Sequence, residues 1–267
     1  MNFADIEAVI MDMDGVLWTG DVALPGMAAC FAWLWARGLP FALATNNSGK
    51  SPATYVEKLA KLGVPGVLDG QIVTSGTATV GYMQAHYPPG SPIHILGGDG
   101  LRQVMAAAGF TLVEDGVRAV VVGLDPQLTY DKLKRAALLI RGGADFVATN
   151  QDMTIPSPDG LAPGAGSLVA ALRATTEREP LVTIGKPGAP MFEAALRVVG
   201  TAPQHTLMIG DRLNTDIEGA ARLGLKTALV LTGVSTRAEA EVANTPPDGV
   251  FDDLPALMAA WGSASGS

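Results

Sequence analysis

The stretch Ala8-Val9-Ile10-Met11-Asp12-Met13-Asp14-Gly15 runs four apolar residues straight into two carboxylates and a glycine. Unbroken apolarity over so short a run is the pattern of a strand covered on both faces, as in a parallel sheet. Such a strand delivers Asp12 and Asp14 at its carboxyl end, and side chains two residues apart point to roughly the same side. Like charges this close repel. The least costly compensation is a divalent cation, and hard carboxylate oxygens favour Mg²⁺. Asp12 could then attack phosphorus, while Asp14 protonates a leaving oxygen and later activates water. Gly15 lets the chain turn sharply after the pair. Taken alone, the segment reads equally well as an acidic loop capping the next element.

Working outward, short apolar runs alternate with longer helix-like stretches. The further runs are Pro40–Ala44, Gln71–Thr74, Ala119–Leu124, Leu181–Ile184, Thr206–Ile209 and Thr227–Leu231. Helices are predicted at Gly26–Arg37, Ser51–Leu62, Gly100–Ala108, Thr129–Arg141, Gly164–Ala174, Ala189–Val199 and Thr215–Leu223. This alternation predicts an α/β fold with a doubly wound, parallel-sheet (Rossmann-like) core. The Gly/Ser tail after Trp261 reads as frayed.

Open α/β sheets bind ligands outside the carboxyl ends of their strands, so the strand ends matter most. The run Pro40–Ala44 leads into Thr45-Asn46-Asn47-Ser48, a hydroxyl and two amides ahead of a helix start. Such groups suit phosphate oxygens, although Asn and Ser are also ordinary turn residues. Lys186, in Gly185-Lys186-Pro187, is a compact point charge able to bind phosphate; the alternative is a solvated surface lysine. Gly210-Asp211-Arg212-Leu213-Asn214-Thr215-Asp216 supplies two more acids. Asp211 is placed as a metal ligand at the strand end. Asp216 could orient metal-bound water or hold Lys186, or could simply favour a helix N-terminus.

Composition narrows the function further. At 267 residues, with 48% hydrophobic and 16% charged residues, the chain has ample material for a core and exceeds one modest domain. The net charge of −8 and the lack of any basic block argue against nucleic acid as a partner. No apolar run approaches the ~20 residues of a membrane span, so no membrane partner is expected. The single Cys30 excludes an internal disulfide framework, fits a reducing, cytoplasmic compartment and reads as a small core residue. His86, His94 and His205 lack ligand spacing and read as surface or packing residues.

Together, Asp12-Met13-Asp14-Gly15-Val16-Leu17-Trp18, Thr45-Asn46-Asn47, Gly185-Lys186-Pro187 and Gly210-Asp211 with Asp216-Ile217 resemble, in order, the four motifs of the haloacid dehalogenase superfamily. The likeness is to its branch of p-nitrophenylphosphatases and phosphoglycolate phosphatases, and extends into Val122–Asp125 and Ala148–Asp152. It implies that Asp12 is the nucleophile and a magnesium ligand, and that Asp14 is the general acid/base with its backbone carbonyl on the metal. It further implies that Thr45, Asn46 and Asn47 belong to the phosphate-binding motif, with Lys186 as the charge-neutralising lysine. Asp211 becomes the third protein ligand and Asp216 an outer-sphere acid.

Spacing refines the branch. About 30 residues separate Asp14 from Thr45, room for one helix, whereas roughly 140 separate Thr45 from Lys186, room for another domain. This resembles the branch with a large α/β cap between the second and third motifs. The expected division is a catalytic core of residues 1–89 and 181–267 with an inserted cap of residues 90–180, hinged near Pro88–Pro92. By resemblance the cap reads the leaving group through a loop at Asp152, Met153, Thr154 and Ile155, and cap-mediated homodimers are common. Trp18 either lines the entrance or packs in the core; Trp33 and Trp35 read as core or helix surface.

The expected activity is thus Mg²⁺-dependent hydrolysis of a small phosphorylated metabolite through an aspartyl-phosphate. A dehalogenase has no need of Asp14, and a phosphomutase of this superfamily carries its cap between the first two motifs. The alternative from another class is a signalling, phospho-Asp receiver-like module. Receivers are about half this length and do not pair their acids as Asp-x-Asp on the first strand.

Overall fold

In the computed structural model of the chain, which describes residues 2–157 and 159–264, the strand Ala8–Met11 is entirely buried. It pairs in parallel with Thr206–Gly210 on one side and Phe41–Thr45 on the other. These belong to a six-stranded sheet in the order Gly249–Phe251, Lys226–Val230, Thr206–Gly210, Ala8–Met11, Phe41–Thr45, Ile72–Thr74. Both faces of this doubly wound sheet are covered, which is why its strands read as continuous apolar runs. Trp18, Phe31, Met11, Met13, Leu34 and Leu43 form the heart of the core beside it. Each such side chain taken from water contributes about 1.5–3 kcal/mol.

Contacts divide the chain into two compact units. One comprises Met1–Thr45, Pro52–Val73 and Met191–Ser267; the other comprises Asn46–Ser51 and Thr74–Pro190. The second unit has its own parallel five-stranded sheet, ordered Val182–Thr183, Asp145–Ala148, Ala119–Val122, Pro92–Leu96, Thr111–Leu112. Its core joins Val120, Val122 and Phe146 to Leu168, Val169 and Leu172 of the helix Ala165–Thr176.

Most predicted elements are present within a residue or two of their expected ends, and the helix Ala189–Val199 matches outright. Two expectations need correction. The helix expected at Thr215–Leu223 is a π-helical turn, Leu213–Ile217, followed by a short helix, Glu218–Arg222. The tail after Trp261 is not frayed from that point, since the helix Leu254–Ala264 runs through it; residues 265–267 lie outside the described residues. The strands Pro92–Leu96 and Asp145–Ala148, and the hairpin Thr154–Ser157 with Gly160–Pro163, were not anticipated.

Cys30 is buried in the first unit, and burial pushes its thiol up to about 12. It is a core residue with no thiolate chemistry at neutral pH. Trp33 packs against the core and Trp35 is 44% exposed, so both stay structural. Among the described residues no helix is long and apolar enough to cross a membrane.

Candidate active site

The register of the first sheet explains how distant acids meet. Met11 lies opposite Ile209, so the chain beyond it places Asp12 beside the end of Thr206–Gly210, and the Asp12 N–H donates to the Ile209 carbonyl at 2.9 Å. In sequence order the sheet turns back on itself between these two strands, since Ala8–Met11 leads to Phe41–Thr45 on one side and Thr206–Gly210 to Lys226–Val230 on the other. This is the topological switch point, where doubly wound sheets bind ligands.

At that point the carboxylates of Asp12, Asp211 and Asp216 bring ligand oxygens within 4.8 Å of one another, all three residues being buried. Three buried acids so close need a positive partner, and their all-oxygen donor set fits a hard divalent cation. The cluster could hold such an ion. It includes Asp216, expected further out, and does not include the Asp14 carboxylate. Asp14 Oδ1 instead accepts the Trp18 indole N–H at 2.9 Å.

The acids are held by backbone. Asp211 Oδ2 accepts the Val234 N–H at 2.8 Å, and Asp216 Oδ2 accepts the Arg212 N–H at 3.1 Å across the π-helical turn. Such turns recur at functional sites because one extra residue re-aims a side chain. Gly15 adopts φ +87°, and a Cβ there would lie 2.5 Å from Asp211 Oδ2. Its carbonyl accepts the Thr232 hydroxyl at 2.6 Å. The glycine expected as a turn is therefore also required for close approach.

Thr45 ends its strand buried in the same unit, and the Tyr55 hydroxyl is hydrogen-bonded with it. The Tyr55 phenol is held well above its ordinary range, first by burial, then by the Asp14 carboxylate, with Asp12 adding to the effect. Sequence reading missed Tyr55 and Lys58. The available signal was their three-residue spacing, with Leu59, on the helix Pro52–Lys61, which puts all three on one face.

The remaining predicted residues lie in the second unit. Asn46 grips the backbone of Lys186 from both sides: its Oδ1 accepts the Lys186 N–H at 2.7 Å and its Nδ2 donates to the Lys186 carbonyl at 2.9 Å. The same Nδ2 donates to Asp152 Oδ1 at 3.1 Å. The Asn46 carbonyl in turn accepts Ser75 Oγ at 2.6 Å and Asn150 Nδ2 at 2.8 Å. Lys186 is only 3% exposed, which rules out the solvated surface lysine, and its bond to Pro187 is cis. Asn47 spends its side-chain oxygen on the Gly49 N–H at 2.8 Å, an Asx-type turn. Of the expected specificity loop, Asp152 is tied to Asn46, Met153 is 55% exposed, and Thr154 and Ile155 open the hairpin.

A cavity of about 650 Å³ in the second unit is lined by His94, Arg102, Glu114, Asp125, Lys132 and Arg135 among others. Lys132 is paired with Asp125, and Arg135 with Glu114 and Asp115. None of the predicted site residues lines it.

Comparison with known proteins supplies context for this geometry. Residues 9–111 match the haloacid dehalogenase-like hydrolases, and residues 183–257 match a second family of the same kind. An acid sugar phosphatase of Staphylococcus saprophyticus is 37% identical over 249 residues, covering 93% of this chain and 95% of that protein. The 4-nitrophenylphosphatase of Thermotoga maritima superimposes with a TM-score of 0.90 at 37% identity, covering 96% and 98% of the two chains. A glycerol phosphate phosphatase of Mycobacterium tuberculosis, solved with calcium, gives a TM-score of 0.87 at 33% identity over 96% of this chain and 76% of that one.

Proposed function

The chain belongs to the haloacid dehalogenase-like hydrolases and is a phosphatase, and from that premise we propose that it hydrolyses small-molecule phosphate monoesters through an aspartyl-phosphate on Asp12. The observation that carries the proposal is the buried cluster of Asp12, Asp211 and Asp216 at the switch point of the sheet. Asp12, Asp211 and the backbone carbonyl of Asp14 hold Mg²⁺ in this reading, with Asp216 as outer support. The ion supplies Lewis-acid polarisation of the phosphoryl group and offsets the carboxylate charge.

In the first step an Asp12 carboxylate oxygen bonds to phosphorus as the ester P–O bond breaks. Asp14, as the carboxylic acid, gives its proton to the departing alkoxide, which leaves as the alcohol. In the second step Asp14, now a carboxylate, takes a proton from water. The water oxygen bonds to phosphorus, the Asp12–phosphorus bond breaks, and inorganic phosphate leaves. Thr45, with the backbone N–H groups of Asn46 and Asn47, would bind phosphoryl oxygens, and Lys186 would offset their charge.

We carry the division into a catalytic core of residues 1–89 and 181–267 and a substrate-reading insert of residues 90–180, with Asp152, Met153, Thr154 and Ile155 as its specificity loop. The relatives' sugar phosphate, nitrophenyl phosphate and glycerol phosphate activities make small sugar and polyol phosphates the first substrates to assay. A cytoplasmic location is the reading that the single, buried Cys30 supports, and homodimers are the assembly to test for.

The test is repeated turnover of p-nitrophenyl phosphate with added Mg²⁺, with and without chelator. The expected result is phosphate release far beyond one equivalent, lost with chelator and lost in Asp12→Asn. Release that stops at one equivalent would favour the receiver-like alternative, and full activity in chelator would remove the metal from the scheme.

A further inference from the structure

Trp18 sits two residues after the Asp14-Gly15-Val16 turn and is wholly buried, so it does not line an entrance. A buried indole N–H needs an acceptor, and many backbone carbonyls could serve. This one donates to a carboxylate oxygen, Asp14 Oδ1, at 2.9 Å. The turn between the two residues closes on itself: the Gly15 N–H donates to the Trp18 carbonyl at 2.8 Å, and the Trp18 N–H to the Met13 carbonyl at 3.3 Å. Trp18 then opens a two-residue ribbon with Val22–Ala23.

The indole is itself fixed. Lys58 Nζ lies 4.4 Å from its ring centroid, and Tyr55 stacks nearly parallel at 6.4 Å. Lys58 Nζ also donates to the Gly20 carbonyl at 2.6 Å and lies 3.6 Å from Asp21 Oδ1. One cation therefore holds both the ring and the tip of the ribbon that carries it. A cation over an indole face is attracted by the ring's quadrupole, the more so where water is excluded.

From this geometry we propose that Trp18 is a positioning residue for Asp14, with Lys58 as the brace that holds the indole. This rests on the reading of Asp14 as the acid and base of the reaction. A carboxylate rotates readily about its last bond, a broad and roughly two-fold torsion. An indole N–H is a donor only, so its bond to Oδ1 fixes the plane of the carboxyl and leaves Oδ2 as the oxygen that carries and exchanges the proton. A freely turning carboxyl would present the proton in the right place only part of the time, and proton transfer is sensitive to such geometry.

The experiment compares Trp18→Phe and Lys58→Met with wild type on two esters, one releasing nitrophenolate and one releasing an alkyl alcohol such as glycerol. Rapid mixing tracks leaving-group release in the first turnover. Nitrophenolate needs no proton to depart and an alkoxide does. In Trp18→Phe the first-turnover rate with nitrophenyl phosphate should stay within about twofold of wild type, while release of the alkyl alcohol falls about tenfold or more. Lys58→Met should show the same pattern more weakly, and decides the matter if Trp18→Phe does not fold. Equal loss on both esters, or no loss on either, would overturn the positioning role. Equal first-turnover loss on both esters in Asp14→Asn would instead overturn the reading of Asp14 as the acid, on which this role rests.

Discussion

Gly233 passes so close to Asp211 that a Cβ on the glycine would lie 2.0 Å from Asp211 Oδ2. The next residue, Val234, donates its N–H to that same oxygen at 2.8 Å. The loop after Lys226–Val230 therefore packs its bare backbone against the acid and fixes one of its oxygens. Gly233→Ala should push the loop and Asp211 apart, since the added Cβ would also lie 2.6 Å from Asp211 Cβ, which no side-chain rotation moves, at an overpacking cost of about 1–3 kcal/mol. We expect a folded protein whose Mg²⁺ affinity, measured by calorimetric titration, falls about tenfold or more, since an ion depends on the position of each of its few ligands. Unchanged affinity would mean that Asp211 is not a ligand.

Asn46 and Lys186 separate stability from catalysis. Asn46 satisfies both backbone polar groups of buried Lys186, so Asn46→Ala leaves two of them without that partner. Each buried group left unsatisfied costs about 1–3 kcal/mol. Lys186→Met keeps the clamp and removes only the ammonium group. Denaturant midpoints should therefore fall clearly in Asn46→Ala and little in Lys186→Met, while phosphatase activity collapses in both. A large stability loss in Lys186→Met would show that its charge serves the fold.

His94 supplies a pH dependence of known sign in the second unit. Its imidazole is buried, and burial holds its pKa below the ordinary 6.5, against Glu114 and the Val113 carbonyl, which raise it; Arg102 and Arg135 lower it further. The unfolded chain then takes up the proton more readily than the folded one. The neutral ring's contribution is fully present above the unfolded value and is lost as pH falls through the lower folded value. Thermal unfolding between about pH 7 and pH 5 should thus drop more steeply in wild type than in His94→Gln. Parallel curves would contradict the assignment.

Much of this was legible in sequence because the sheet's chemistry is written at its strand ends. Ala8–Met11 and Thr206–Gly210 are unbroken apolar runs, and each leads directly into its acids. Pro92–Leu96 was missed because a proline and His94 interrupt its apolar pattern; the proline is tolerated as the first residue of the strand. Asp145–Ala148 was hidden by a charged first residue, and the hairpin from Thr154 by two prolines. Tyr55 and Lys58 escaped because their partners, Thr45 and Trp18, are set by tertiary packing and not by spacing along the chain. The alternatives for Trp18 could be separated only by burial and by the acceptor its N–H finds.

The central claim is that a phosphoryl group rests on Asp12 during turnover. Asp14→Asn, which slows breakdown of the intermediate, would be mixed with p-nitrophenyl phosphate and Mg²⁺, quenched in acid, treated with borohydride and digested for peptide mass spectrometry. An acyl phosphate on Asp12 is reduced to homoserine, whereas a free carboxylate is not. The account predicts homoserine at position 12, dependent on substrate and absent in Asp12→Asn. Phosphate release at the expected rate with Asp12 unmodified, or with the phosphoryl group on another residue, would contradict it.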